Sequence, residues 1–260
     1  MSEVLHSREN AIKFFNEYLK DNDVKGKKVI DLSAGSGFII NEFYKAGADV
    51  ELYDLFPDQN THCPVSCRKI DLQKPFGNIG KADIVLLGET IEHLPDQFLF
   101  FCEVAKLLNT NGILLLTTPN SSSLRSRLSQ FLMESEHYST PAPNETNAFT
   151  RWPGKDDGYF GKLFISGLLR LRTLAALNGL KIRKIYPTKG SPTSYLLMIW
   201  YPVLYYFSAK NRRKQVKADA KNASVYEEIF RLNTSVSILT SRHLIVEWES
   251  SSASEQQTRR

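Results

Sequence analysis

Val29-Ile30-Asp31-Leu32-Ser33-Ala34-Gly35-Ser36-Gly37 is the stretch that decides the fold. Its first four residues are apolar apart from one acid, the pattern of a short buried strand. The next five are all small and include two glycines one residue apart. Small residues between a strand and a helix let the backbone approach a ligand closely and aim free N–H groups at it. Residues 38–45 then show helical spacing, and Ala46-Gly47-Ala48 ends them. The unit is strand, glycine loop, helix and stop.

Working outward, the unit recurs. Residues 49–53 form a strand ending at Asp54, residues 82–87 are a nearly all-apolar strand, and residues 95–108 form an amphipathic helix. Asn111-Gly112 turns the chain into a strand over 113–117. Later come a helix over 168–177, stopped by Asn178-Gly179, and strands over 181–186 and 242–248. Apolar strands alternating with helices predict an α/β fold, a doubly wound sheet buried on both faces. Residues 1–28 read as an N-terminal helical segment, 29–249 as the main domain and 250–260 as a polar tail. Within the domain, residues 119–165, rich in serine, proline and asparagine, read as a covering segment over the strand ends. Residues 192–221 read as an apolar and basic helical insertion near the C-terminus, and no internal repeat is present.

A chain of 260 residues with 42% hydrophobic and 23% charged residues builds one large domain with a core, which excludes wholesale disorder. The net charge of +5 is local, concentrated between Lys210 and Lys221 and at Arg259-Arg260. Cys63, Cys67 and Cys102 cannot all pair within the chain, which fits a reducing, cytoplasmic setting. Cys63 and Cys67 beside His62 have the spacing of half a metal site, yet no second pair completes it, so they read as structural. Ile12, Phe14, Phe15, Tyr18 and Leu19 give the N-terminus the spacing of a leading helix rather than the apolar run of an export signal.

The dinucleotide fingerprint requires a third glycine at position 40, where this chain has Ile40, and that argues against a nicotinamide or flavin cofactor. With Asp31 preceding the glycines, the loop instead resembles motif I of the class I S-adenosylmethionine-dependent methyltransferases. The resemblance implies a seven-stranded, mostly parallel, Rossmann-like sheet. It also implies that Asp31 helps hold the methionine amino group, and that Gly35 and Gly37 carry the loop under the ribose and methionine portion. Ser33 and Ala34 stand where a Gly-Cys pair is commoner and keep the side chains small. A second acid belongs at the end of the next strand, where one carboxylate accepts from both ribose hydroxyls, and Asp54 is there. By resemblance Asp71, within Ile70-Asp71-Leu72, faces the adenine amine. Leu55, Leu72 and Glu89 complete the expected cofactor set.

Gly88-Glu89-Thr90-Ile91-Glu92-His93-Leu94-Pro95 is similar to the Glu-x-x-Glu-His segment of bacterial small-molecule and glycan methyltransferases, and Thr117-Thr118-Pro119-Asn120 to their fifth strand end. The similarity covers roughly residues 25–120. Asp54-Leu55-Phe56-Pro57 and Ser123-Leu124-Arg125-Ser126-Arg127-Leu128 further resemble bacterial methyltransferases of polysaccharide or cell-envelope biosynthesis. Glu89, Glu92 and His93 carry two readings. On one helix face they would converge on a divalent ion or a substrate hydroxyl, as in the ubiquinone-pathway O-methyltransferases and small-RNA 2′-O-methyltransferases that this segment resembles. Alternatively Glu89 touches the cofactor while Glu92 and His93 fix the loop without a metal, and this is the expectation adopted. His93 is the first candidate for a general base, with Glu92 beside it and His137 as the second. Related sequences carry a histidine where this chain reads Tyr159-Phe160-Gly161-Lys162-Leu163.

The expected activity is methylation of an oxygen on a small molecule or glycan. Residues 195–207 are almost wholly apolar, with Tyr195, Trp200 and Pro202, and Lys210, Arg212, Arg213, Lys214 and Lys217 follow directly. Such a run is too short to span a bilayer of ~30 Å hydrocarbon thickness as a helix. It suits either peripheral contact at the inner face of a membrane or packing on the domain or a partner subunit. RNA methylation and a non-catalytic scaffold are the rival functions. Aromatic-interleaved basic patches of an RNA-binding module are not evident, and three retained cofactor acids speak for catalysis.

Overall fold

The computed structural model describes residues 2–136, 141–151 and 158–251, with side chains from residue 12. Its main sheet contains β1 (Lys28–Asp31), β2 (Asp49–Asp54), β3 (Cys67–Lys69), β4 (Ala82–Gly88), β5 (Leu108–Pro119), β8 (Leu180–Tyr186) and β9 (His243–Ser250). A separate hairpin is made by β6 (Phe149–Arg151) and β7 (Gly158–Phe160). The order across the main sheet is β3-β2-β1-β4-β5-β9-β8. The first five of these strands are parallel, while β9 lies antiparallel between β5 and β8. The seven-stranded, mostly parallel sheet expected from the sequence is therefore present.

Helices α1 (Ser2–Asp21), α2 (Phe38–Lys45), α3 (Gln97–Leu107), α4 (Leu124–Met133) and α5 (Leu168–Leu177) surround the sheet. One face buries Phe15, Tyr18, Ile40 and Phe43 against Val29, Leu52 and Leu115. The other buries Phe100, Phe101, Val104 and Leu171 against Ile30, Val85, Leu114 and Trp248. Each such side chain contributes roughly 1.5–3 kcal/mol on leaving water. Helix α3 reads as amphipathic in the sequence, yet Gln97 and Glu103 are buried on it together with its apolar residues. Glu103 accepts from the Phe76 amide at 3.0 Å, so its carboxylate closes a loop rather than facing water.

The turn expected at Asn111-Gly112 falls inside β5, which runs unbroken from Leu108 to Pro119 and shifts register against β4 between Ala82 and Ile84. Asn111 takes a φ of 61° there, and a Cβ on Gly112 would press on the Asn109 backbone. The helical insertion is longer than the 192–221 read from the sequence. It contains α6 (Pro192–Leu197), α7 (Tyr201–Ala218), α8 (Ala223–Thr234) and α9 (Val236–Thr240). Because β9 begins at His243 opposite Pro119, the end of β5, the insertion hangs at the carboxyl end of the parallel strands. Buried Asn120 ties it down, donating to Ile238 O at 2.7 Å and Ser241 O at 2.9 Å. Cys63, Cys67 and Cys102 are all free thiols.

Candidate functional site

The carboxyl ends of β1, β2 and β4 and the loop after β3 surround a cavity of about 250 Å³, lined by Ser33, Asp54, Leu55, Asp71, Leu72, Glu89 and His93 among others. This is where a doubly wound sheet opens a crevice, at the point where strand order reverses between β1 and β4. The loop after β1 is closed by its own backbone. Gly37 donates to Ala34 O at 2.8 Å, and Ser33 Oγ accepts from the Gly88 amide at 3.0 Å, joining β1 to β4.

Asp54 holds that loop from the neighbouring strand. Its Oδ2 accepts from the Gly35 amide and its Oδ1 from the Phe56 amide, each at 2.8 Å. Asp71 is fixed by the Gln73 amide at 3.1 Å and by Lys74 Nζ at 2.8 Å. Asp31 is buried beneath the loop and does not line the cavity, with its Oδ1 accepting from the Ser33 amide at 3.0 Å. Burial pushes its carboxyl up to about 7, against the pull of that amide and with a further push from Asp54.

The two glycines differ. Gly35 has a φ of +50°, and a Cβ placed there would meet no heavy atom within 4 Å. Gly37 has a φ of +75°, and a Cβ there would collide with the Asn60 side chain. The open glycine borders free space, whereas the crowded one admits Asn60, which donates to Val65 O at 2.8 Å and Cys63 O at 3.1 Å. Ala34 turns into the core with Ile40 and Cys63. Cys63, read as structural, packs there as a buried thiol.

Glu89, Glu92 and His93 do not share a helix face. The helical turn after β4 covers only Ile91–His93, and Glu89 precedes it with a left-handed φ of 47°. That conformation is strained for a residue with a Cβ, and the Glu89 amide is held by both O and Oγ1 of Thr117 at 3.0 and 3.2 Å. Glu92 is buried, with no exposed surface, and accepts from Thr118 Oγ1 at 3.0 Å. Between the two carboxylates lies Lys162 Nζ, 2.9 Å from Glu92 Oε1 and 3.2 Å from Glu89 Oε2. His243 Nε2 approaches Glu89 at 3.8 Å.

A lysine ammonium thus lies between the two carboxylates, the place a bridging divalent ion would take. Among the described residues no group of three histidine, cysteine, aspartate or glutamate side chains is placed to hold one. Burial holds the Glu92 carboxyl above its usual range, Glu89 adds to this, and Lys162 and His93 oppose it.

His93 lines the cavity and is oriented from the covering segment. Its Nδ1 lies 2.6 Å from Phe160 O, and Tyr159 packs edge-on to the ring at 5.5 Å. Tyr159, also in contact with Phe56, therefore walls the cavity in the stretch where related sequences place a histidine. His137 lies outside the described residues. Tyr159 and Lys162 were missed as site residues. The only sequence signal for them was their position, in a covering segment just ahead of the helix before Gly179.

A family model described as a methyltransferase domain matches residues 4–183. The ubiquinone biosynthesis O-methyltransferase of Pelagibacter ubique is 28% identical over 127 residues, 46% of this chain and 53% of that protein. The chain spans about half the length of that curated relative. Among solved structures, an S-adenosylmethionine-dependent methyltransferase from Archaeoglobus fulgidus has a TM-score of 0.52 at 13% identity, with 94% of each chain covered. Magnesium protoporphyrin IX methyltransferase from Synechocystis, solved with bound S-adenosylhomocysteine, has a TM-score of 0.51 at 14% identity, covering 95% of this chain and 84% of that one. The chain belongs to the methyltransferase domain family, in its class I, S-adenosylmethionine-dependent branch.

Proposed function

We propose that this chain transfers the methyl group of S-adenosylmethionine to an oxygen of a small-molecule or glycan acceptor, with cell-envelope precursors the first class to test. The proposal places it in the cytoplasm, with peripheral contact at the inner face of the membrane through residues 195–217. The observation that carries the reading is His93. A carbonyl can only accept, so the 2.6 Å contact with Phe160 O puts the proton on Nδ1 and leaves Nε2 able to receive one. A hydroxyl acceptor must lose its proton as it is methylated, and a fixed imidazole on the cavity wall can take it.

The cofactor fits the residues around the cavity. Gly35 leaves open space beside the loop, and Asp54 and Asp71 present carboxylates on the same wall. In this reading Asp54 holds the ribose hydroxyls, Asp71 and Leu72 the adenine, and Leu55 the apolar side of the adenosine. Asp31, Ser33 and Gly35 hold the methionine portion, Ala34 and Gly37 support the loop from beneath, and Glu89 closes the far wall. When bound, the cofactor supplies an electrophilic methyl group on a sulfonium. What the protein adds is alignment, removal of the proton at His93 Nε2 and a cover made by Tyr159. Oxygen as the acceptor atom is supported by the curated relative, which is named an O-methyltransferase.

The experiment has two stages. Calorimetric titration with S-adenosylmethionine should give micromolar binding that Asp54→Ala abolishes, while NADH should not bind. Transfer from the tritiated methyl donor to phenols, sugars, lipid-linked sugars and total RNA should then label a hydroxyl compound. Absence of donor binding to folded protein sinks the reading, and label confined to RNA or to amines replaces it.

A further inference from the structure

Residues 192–218 form a nearly continuous helical rod, α6, a tighter turn over Met198–Trp200, and α7, fastened along one side to α8. Tyr201 Oη donates to Thr234 O at 3.1 Å, Tyr205 packs on Phe230 at 5.3 Å, and Arg212 pairs with Glu227 at 3.1 Å and lies over the Phe230 ring. The opposite side is exposed, and its residues follow helical spacing. Leu196 and Ile199 are 76% and 78% exposed, and Trp200, Val203, Tyr206 and Phe207 continue the stripe. Lys210, Arg213, Lys214 and Lys217 extend the same side toward the C-terminus. No acid occurs from Tyr195 to Ala218. The rod therefore presents an apolar half and a cationic half on one face, at the sheet end where the cofactor cavity opens.

From this face we infer that α6 and α7 lie in the surface of an anionic bilayer, with Leu196, Ile199, Trp200 and Phe207 below the headgroups and Lys210, Lys214 and Lys217 against lipid phosphates. The inference rests on the peripheral contact proposed above and adds the lipid class, the side chains and the depth. No helix among the described residues is long and apolar enough to cross a membrane, so the rod lies along the surface. Interfacial helices bury their apolar side ~5–10 Å deep, and Trp, Tyr and Lys side chains keep their polar tips in the headgroup layer. A second copy of the chain suits the face less well. Parallel pairing sets cation on cation, and antiparallel pairing covers each apolar half with charges that lose their water. A bilayer accepts both halves, each at its own depth.

The test is flotation of the full chain with vesicles of phosphatidylcholine alone or with one third phosphatidylglycerol. The expected result is binding to the anionic vesicles only. Ile199→Asp with Phe207→Asp should lower it more than tenfold, and Lys210→Glu with Lys214→Glu at least as much, about fivefold for each charge removed. All four positions are exposed, so thermal stability and S-adenosylmethionine binding should match the unaltered chain. Absence of flotation, or flotation indifferent to both variants, overturns the inference. So does a dimer that Ile199→Asp dissolves while vesicles remain unbound. Flotation without donor binding would instead keep the membrane surface and discard methyl transfer.

Discussion

Lys162 Nζ stands 2.9 Å from Oε1 of Glu92, a carboxylate with no exposed surface, and the same ammonium reaches Glu89 on the cavity wall. One cation therefore joins the buried acid to the strained one and, through the short chain from Tyr159 to Lys162, holds the covering segment over His93. Lys162→Met leaves Glu92 buried beside Glu89 without its opposing charge, which should cost about 3 kcal/mol of stability above neutrality. The pH dependence follows from the sign. The Glu92 carboxyl is raised first by burial and then by Glu89, while Lys162 lowers it, so removing the lysine raises it further. A group bound to its proton more tightly in the folded state contributes less stability as pH rises. Unfolding scans should thus show a small gap between variant and wild type near pH ~4.5 and a wide one near pH ~8. An equal loss at both would refute the electrostatic account. Chelators should leave methyl transfer unchanged, because the position between the carboxylates already holds a cation.

If Asp31 takes the methionine ammonium as proposed above, it links cofactor binding to protons. Burial pushes its carboxyl up to about 7, and a ligand ammonium can pair with it only once the proton has left. Affinity for S-adenosylmethionine should rise about tenfold per pH unit below 7 and level off above about 8, with release of up to one proton on binding. Without ligand the sign is opposite. The folded state keeps a proton that the unfolded chain gives up near its ordinary value, so stability falls as pH climbs from about 4 to about 7. Calorimetry in buffers of different ionisation enthalpy counts the protons, and an affinity flat across this range would remove Asp31 from the donor site.

His93→Gln separates proton transfer from binding. The glutamine fills a similar space but offers no base, so kcat should fall about 10²- to 10³-fold while donor affinity stays within about threefold. Single-turnover transfer beside calorimetry gives both numbers. A variant that keeps its rate passes the base to another residue, and one that loses donor binding makes His93 part of the cofactor wall.

The strand ends and loops that line the cavity were legible because they depend on local chemistry. An acid ending a strand and a small-residue loop after it are read from neighbouring residues, and Asp54 follows from the same rule at the next strand end, while Asp71, in the loop after β3, was read from the family resemblance. The wall made by the covering segment was not, because it is built from distant parts of the chain. Lys162 meets Glu92 across 70 residues, and no local pattern marks a lysine in a loop as the partner of a buried acid. Helix periodicity failed at 89–93 for a related reason: Thr117 holds the Glu89 amide in a left-handed turn, so the spacing of three and four carries no shared face. Helices α8 and α9 lie past the 192–221 read as the insertion, with α8 packing on α7 and α5, and α9 on α4, α6 and α8.

Gly35 and Gly37 provide the sharpest test of where a ligand passes. Both have positive φ, so alanine at either costs about 1 kcal/mol of backbone strain. At Gly37 the methyl group must also displace Asn60, whose amide group is tied to Cys63 and Val65, so Gly37→Ala should lose a further ~2 kcal/mol or more through broken hydrogen bonds. At Gly35 the methyl group enters open space and leaves the fold intact. If the methyl donor passes over that loop, Gly35→Ala should fall only slightly in unfolding free energy yet lose at least thirtyfold in donor affinity, because the new methyl group occupies volume the ligand needs. Gly37→Ala should show the reverse balance, its weakened binding tracking its loss of folded protein. Urea unfolding and calorimetry on the two variants measure both quantities, and undiminished donor binding by a folded Gly35→Ala protein would move the donor away from the loop.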